Sequence, residues 1–262
     1  MSLAAIDLCY AYTSDRLVLD GITLSLDEGG VTFILGGNGS GKTTLLECLC
    51  GIRSPRSGSV RLDGKEAHRL PPMQRARRVG FVPQIHEPIF TYSVYHVVLM
   101  GRSPHLGPFA KPRHSDHEAV AQALDALDLW PLRNRPYTEI SGGERRLVLV
   151  ARGLAQGVRY LLMDEPDAHL DPLHQNDLFS RVRELAIQGF TFAISSHSPN
   201  SALTYGDSAL LLSQGRPIAY DRAAVVVAPA PLAAAYGLEF ELISDESGPR
   251  AVLPMRATRT QS

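Results

Sequence analysis

The run Gly36-Gly37-Asn38-Gly39-Ser40-Gly41-Lys42-Thr43 has the residue types and spacing of a loop that wraps phosphate. Its glycines let successive backbone N–H groups converge on phosphate oxygens with no Cβ in the way, and a helix starting at Lys42 adds the positive end of its dipole. Lys42 then neutralises the β- and γ-phosphates, and the Thr43 hydroxyl is placed for Mg²⁺. The competing reading is a Gly-rich turn without chemistry. A strand pattern before the run and a helix pattern after it speak against that turn.

A second candidate is Tyr160-Leu161-Leu162-Met163-Asp164-Glu165, an apolar strand ending in two acids. Ligands of open α/β sheets bind outside the carboxyl ends of the strands, so both acids belong near the phosphates. Asp164 then holds Mg²⁺ through water and Glu165 polarises the attacking water; on their own the two acids could equally be a solvated strand end. A third is Ile140-Ser141-Gly142-Gly143-Glu144, a hydroxyl and free N–H groups at the start of the helical run Arg145 to Ala155. This is a second anion site, and one nucleotide rarely needs two from one chain.

The elements around these residues alternate between strand and helix, the pattern of an α/β fold with helices packed over a sheet. Ile22–Leu26 alternates as a half-buried strand, Asp27 to Gly30 turns the chain, and Val31–Leu35 is a short apolar strand. Lys42–Cys50 reads as a helix closed by Gly51, and Val60–Leu62 with Asp63-Gly64 as a hairpin. Val79–Val82, Tyr160–Met163, Thr191–Ser195 and Ala209–Leu212 read as further strands, several apolar on both faces as central parallel strands are. Helical spacing appears in Val94–Met100, His117–Leu129 and Gly143–Ala155. Gly101–Ser115, with Pro104, Pro108 and Pro112, reads as a loop too long for a simple connector. After Asp221, short helical pieces lead to a hairpin from Leu238–Ile243 and Ala251–Leu253.

Composition bounds the rest. A chain of 262 residues with 26 basic and 27 acidic side chains carries net charge −1, which excludes a general polyanion-coating role. Hydrophobic residues at 44% place it among folding globular chains. The most apolar stretch, Ala223 to Tyr236, is broken by Pro229 and Pro231 and does not span a membrane; Met1 to Tyr10 lacks the layout of a secretory signal, so a cytosolic location is expected. Cys9, Cys48 and Cys50 lack zinc-site spacing and read as buried structural thiols. The histidines other than His197, including His114 and His117, have no partners at ligand spacing and read as solvated.

With these motifs in hand, the sequence resembles the ATP-binding cassette (ABC) family over essentially the whole chain, Ile140 to Glu144 matching its signature. Other pieces fall in the family's order: Tyr12 as the aromatic that stacks on adenine, Gln84 in Val82-Pro83-Gln84 as the Q-loop, Leu170-Asp171 as the end of the D-loop, and His197 as the switch histidine. Tyr10 lies on the same strand face as Tyr12, so one of the two can be core. The resemblance implies ATP held by Tyr12, by Gly36, Gly37, Asn38, Gly39, Ser40, Gly41, Lys42, Thr43 and Thr44, by Gln84, and by Ser141, Gly142, Gly143, Glu144 and Asp171. It implies catalytic roles for Lys42, Glu165 and His197, and Mg²⁺ held by Thr43, Gln84 and Asp164, partly through water.

The fold so implied is a P-loop NTPase of the ABC type: a mixed sheet core, a helical subdomain and an N-terminal antiparallel β subdomain. The chain is then one ABC ATPase domain over 1–262, with its catalytic core at about 1–82 and 158–220, a helical subdomain at about 83–157 and a small C-terminal extension at about 221–262. Leu99 to Gly107 and Arg135-Pro136-Tyr137 look like the subgroup that powers importers of iron-siderophore, haem, cobalamin or molybdate. The partners implied are a second copy arranged head to tail, a transmembrane permease and, indirectly, an extracytoplasmic substrate-binding protein, with the chain on the cytoplasmic face of the membrane and no nucleic acid bound. The alternative is a soluble ABC ATPase acting on nucleic acid or ribosomes, whose long coiled coils or tandem cassettes this sequence lacks. The chain departs from the family pattern at Gly37, Arg146, Asp167-Ala168 and Ser198.

Overall fold

The fold is described from a computed structural model covering residues 2–13, 16–84, 91–107, 109–246 and 248–255. Pro108 of the proline-rich loop, the opening of the helical subdomain at 85–90 and the end of the C-terminal extension at 256–262 lie outside the described residues.

The strands are β1 (Leu3–Tyr10), β2 (Leu19–Leu26), β3 (Val31–Gly36), β4 (Ser57–Leu62), β5 (Lys65–Glu66), β6 (Val79–Val82), β7 (Tyr160–Asp164), β8 (Thr191–Ser196), β9 (Ser208–Ser213), β10 (Arg216–Arg222), β11 (Phe240–Asp245) and β12 (Gly248–Pro254). The helices are α1 (Lys42–Leu49), α2 (Pro72–Ala76), α3 (Val94–Leu99), α4 (His114–Asp125), α5 (Gly142–Ala155), α6 (Pro172–Ile187), α7 (Pro199–Tyr205), α8 (Ala223–Val226) and α9 (Pro229–Tyr236). An antiparallel sheet runs β2-β1-β4-β5, a central sheet runs β10-β9-β3-β8-β7-β6 with all but β10 parallel, and β11-β12 form a separate hairpin.

Alternation of side chains between the two faces of the fully buried central strands divides the core in two. Val31, Phe33 and Leu35 face a cluster built with the helices α3 to α7, while Ile34 faces a second cluster with α1 and the antiparallel sheet. In β7, Leu161 and Met163 join the first cluster and Tyr160 and Leu162 the second. Both faces of these strands are therefore dry, as their apolar runs require.

Several expectations need correction. The stretch from Gly101 to Ser115 is not one loop: Met100–His105 is a 3-10 helix continuing α3, and α4 begins at His114 rather than His117. Arg102, in that turn, donates through Nε to Asp116 Oδ1 at 2.9 Å and through Nη1 to the Ala155 carbonyl at 2.8 Å. His105 is half-buried with Nε2 2.8 Å from the Gln156 carbonyl, so it is not a solvated histidine. Cys48 and Cys50 are buried, and burial pushes their thiols up to about 12 and about 11, but Cys9 is only half-buried.

Because the Arg102 and Asp116 side chains are nearly enclosed, at 13% and 5% exposure, removing Arg102 leaves the Asp116 carboxylate without its guanidinium partner, with only the Arg113 N–H, among the described residues, still donating to it at 2.9 Å. Arg102→Ala is expected to lower unfolding stability by about 3 kcal/mol in urea titration. A loss below about 1 kcal/mol, the range of an exposed pair, would show that this bridge does not hold the turn to α4 and α5.

Candidate functional site

Register across the central sheet assembles the site. Leu35 of β3 pairs with Ser196 of β8, and Ser195 pairs with Asp164 of β7, so three parallel strands end level. The next residues outward are the Gly36 loop, His197 and Glu165. Val82 of β6 pairs with Met163, which brings Gln84 to the same edge. Residues up to 161 positions apart (36 to 197) thus meet at one sheet edge.

Gly36 has φ +150°, and a Cβ there would stand 2.5 Å from the Leu212 carbonyl oxygen and 2.6 Å from Ser40 Oγ, so only glycine fits. Gly37 and Gly39 have no atom within 4 Å of a Cβ position, so the space beside the loop is open there. Lys42 is buried and bends back to donate through Nζ to the carbonyls of Gly36 at 3.0 Å and Gly37 at 3.2 Å. Burial pushes its pKa down, opposed by the charges of Glu165 and Asp164. Ser40 Oγ is buried with no hydrogen-bond partner among the described residues, an unusual cost in a folded chain. A phosphate oxygen bound at the loop would relieve it. The loop therefore fits a phosphate group on its own geometry.

The acids are held from several sides. Thr43 Oγ1 donates to both Asp164 oxygens, at 2.9 and 3.1 Å, and Ser195 Oγ donates to Asp164 Oδ1 at 2.6 Å while accepting the Glu165 N–H at 2.8 Å. Glu165 has φ +42°, a left-handed conformation that costs a non-glycine residue about 1–3 kcal/mol and persists only where the surroundings impose it. Its Oε1 lies 2.6 Å from His197 Nε2 and 3.6 Å from Lys42 Nζ, and its Oε2 accepts from Gln84 Nε2 at 2.7 Å. A carboxylate so aimed, beside a cation and a histidine, can take a proton from water attacking a phosphorus held on the loop. Thr43 and Asp164 present the hard oxygen donors that Mg²⁺ prefers.

Tyr12 stands beyond the end of β1, 56% exposed, with Oη 3.0 Å from Thr44 Oγ1. Arg53 covers one face of its ring, Cζ lying 4.6 Å from the centroid, and Tyr10 meets it edge-on at 5.2 Å. Tyr10 is the member of the pair that packs on the core.

The signature residues lie elsewhere. Ser141 caps α5, accepting the Glu144 N–H, while Glu144 Oε2 accepts the Ser141 N–H at 2.7 Å. Gly142 is open, and Gly143 abuts the His174 ring, where a Cβ would lie 2.4 Å from Cδ2. Asp171 caps α6 through the His174 N–H at 2.9 Å, and its Oδ2 lies 2.8 Å from His174 Nδ1. His174 thus has a partner acid and packs on Gly143, while its side chain stays 43% exposed. No hydrogen bond or ion pair among the described residues joins Ser141–Glu144 or Asp171 to the loop of Gly36 to Thr44.

Sequence reasoning passed over Ser195, Ser196 and His174. A polar pair at the end of an otherwise apolar strand, Ser195-Ser196, was the available signal for the first two.

The family model for ABC transporters matches residues 19–168. The hemin import ATP-binding protein HmuV of Pseudomonas entomophila (strain L48) is 43% identical over 227 residues, covering 85% of this chain and 88% of that protein. The molybdate import ATP-binding protein MolC of Haemophilus influenzae (strain ATCC 51907 / DSM 11121 / KW20 / Rd) is 36% identical over 214 residues, covering 81% and 79%. Among solved structures, a chain of an ABC transporter assigned to the metal-chelate type, in an inward-facing conformation, aligns with TM-score 0.86 at 31% identity over 98% of both chains.

Proposed function

Since this chain belongs to the ABC transporter family and is an ATPase of that family, we propose that it is the ATP-hydrolysing subunit of an importer for a metal chelate or related cargo, the class of iron-siderophore, haem, cobalamin or molybdate. The observation that carries the reading is the meeting of Lys42, Thr43, Gln84, Asp164, Glu165 and His197 at one sheet edge, in a chain whose import-protein relatives align over four-fifths of its length or more. In this reading a separate permease supplies the path, and no helix among the described residues is long and apolar enough to cross a membrane. The chain acts on the cytoplasmic face of that membrane, as a head-to-tail pair, served indirectly by an extracytoplasmic binding protein.

Mg²⁺ would be held by Thr43 and Asp164, with Gln84 near, and when bound it neutralises charge on the phosphates. The chain's own residues do the rest: Lys42 and the loop amides orient the γ-phosphate, Glu165 takes the proton from water, and His197 steadies Glu165. The helical part, at about 83–157, receives the permease at the Gln84 hinge. Coexpression with candidate permeases, reconstitution in liposomes and assay with hemin, ferric siderophore, cobalamin and molybdate test the reading. Cargo-stimulated hydrolysis is expected with one class. ATP hydrolysis that no permease stimulates would overturn it.

Gln84 offers a narrower test, because it joins the hinge to Glu165 directly. Gln84→Ala is expected to lower permease-stimulated hydrolysis by about tenfold while basal ATP affinity changes less than about threefold. Equal losses in both would reduce Gln84 to a local contact.

A further inference from the structure

Two positions at which this chain departs from the family pattern, Asp167 and Ser198, are linked in the structure through the Ser196 hydroxyl. The Ser196 hydroxyl donates to Asp167 Oδ2 at 2.9 Å and accepts the Ser198 backbone N–H at 3.0 Å. Asp167 and Ser196 are both buried, at 8% and 0% exposure. His197 lies between Ser196 and Ser198, so one hydroxyl fixes the chain on both sides of it. The far side is anchored as well, since Ser198 Oγ accepts the Ser201 N–H at 3.1 Å and so starts α7.

The near side closes a ring. His197 Nε2 meets Glu165 Oε1 at 2.6 Å, and Glu165 is joined to Asp167 through Pro166, whose ring restricts the backbone. The Asp167 carbonyl accepts from Gln175 Nε2 at 3.2 Å and from the Leu170 N–H at 3.2 Å, which pins the turn from outside. A third departure, Arg146 of α5, donates through Nη1 to the Pro83 carbonyl at 3.3 Å, and the Asp167 charge offsets part of the cost of its burial.

The chemistry of the pair is directional. An ionised carboxylate only accepts, so the single Ser196 proton points at Asp167 and the oxygen's lone pairs remain for the Ser198 N–H. Burial pushes the Asp167 carboxyl up, and the Ser196 bond pulls it partly back.

We propose that Asp167 is a positioning residue for ATP hydrolysis, which through Ser196 holds the peptide units on either side of His197 and so sets the His197 imidazole against Glu165. The proposal rests on the reading of His197 as part of the hydrolytic site.

Asp167→Ala, Asp167→Asn, Ser196→Ala and His197→Ala, with Asp167→Ala/His197→Ala, would be compared for kcat, KM and ATP affinity. Asp167→Ala is expected to lower kcat by about tenfold or more with ATP affinity within about twofold, since a small misplacement at a catalytic group suffices. Asp167→Asn, whose Oδ1 still accepts from Ser196, recovers most of the rate, and Ser196→Ala repeats the Asp167→Ala loss should that variant fail to fold. In the His197→Ala background, Asp167→Ala adds no further loss. ¹⁵N-histidine spectra, with His197 assigned by its absence in His197→Ala, are expected to show its signal moved in Asp167→Ala and restored in Asp167→Asn. A full tenfold loss on top of His197→Ala, or an unmoved His197 signal, overturns the inference while leaving the His197 reading intact. His197→Ala at wild-type rate overturns that reading itself, and the inference with it.

Discussion

Glu165→Gln is expected to lower ATP hydrolysis by about 10² to 10⁴ while ATP remains bound. The substitution keeps size and most contacts: a Gln side-chain oxygen still accepts from Gln84 Nε2, which now sits 2.7 Å from Glu165 Oε2. What disappears is the proton acceptor and the negative charge beside Lys42, 3.6 Å away. Phosphate release measures the first and fluorescent-nucleotide titration the second, which should change little because the loop that holds phosphate is untouched. If two chains close around ATP, the variant also accumulates as a dimer in size-exclusion chromatography with ATP. Hydrolysis at near wild-type speed would remove Glu165 from the mechanism and leave its left-handed backbone without a chemical reason.

Lys42→Ala and Ser141→Arg homodimers are each expected to lose ATP occlusion, and a mixed dimer of the two to keep one occluding site. The Ser141 cap and the open Gly142 form an N–H-lined helix start, yet they make no bond to their own phosphate loop. The His174 ring packed on Gly143 and the Asp171 cap hold that helix start against α6 instead. A head-to-tail pair brings the two faces together by symmetry, so the signature of one chain can close on the phosphate held by the other. The mixed dimer then has one site with Lys42 and Ser141 intact and one lacking both. Loss of the cap alone costs only about 1 kcal/mol, so Ser141→Arg remains folded. Occlusion in purified mixed dimers is the measurement, because turnover can require both sites. Mixed dimers that trap no nucleotide while wild-type dimers do would place Ser141 outside the composite site.

Much of the fold was legible where a pattern is complete within a few residues. The apolar run Val31–Leu35, the glycines and the helix from Lys42 are each local, and the chain turns out of α1 at Gly51, with φ +72°. The helix α6 was not singled out, although Leu178, Phe179, Val182, Leu185 and Ala186 mark its buried face, because its first turns from Pro172 are polar and carry no such repeat. The strand β10, exposed at every position but the half-buried Ala219 and with a proline at 217, offers little alternation to read. His105 looked unpartnered in sequence because its contact, the Gln156 carbonyl, comes from a distant segment, whereas His174 has a local partner in Asp171 and only its packing on Gly143 is distant.

Residue identity and short spacing were enough to name the phosphate loop, the strand-end acids and the helix cap at Ser141, since each depends on backbone geometry that adjacent residues impose on one another. The grip on Glu165 by Lys42, Gln84 and His197, the buried Ser195 between Asp164 and the Glu165 N–H, and the closure of Asp167 on Ser196 came only with the folded chain. Those contacts depend on β3, β8, β7 and β6 ending level, and that register is set by two layers of side chains packing on opposite faces of one sheet, a sum over residues far apart in sequence that no local pattern carries.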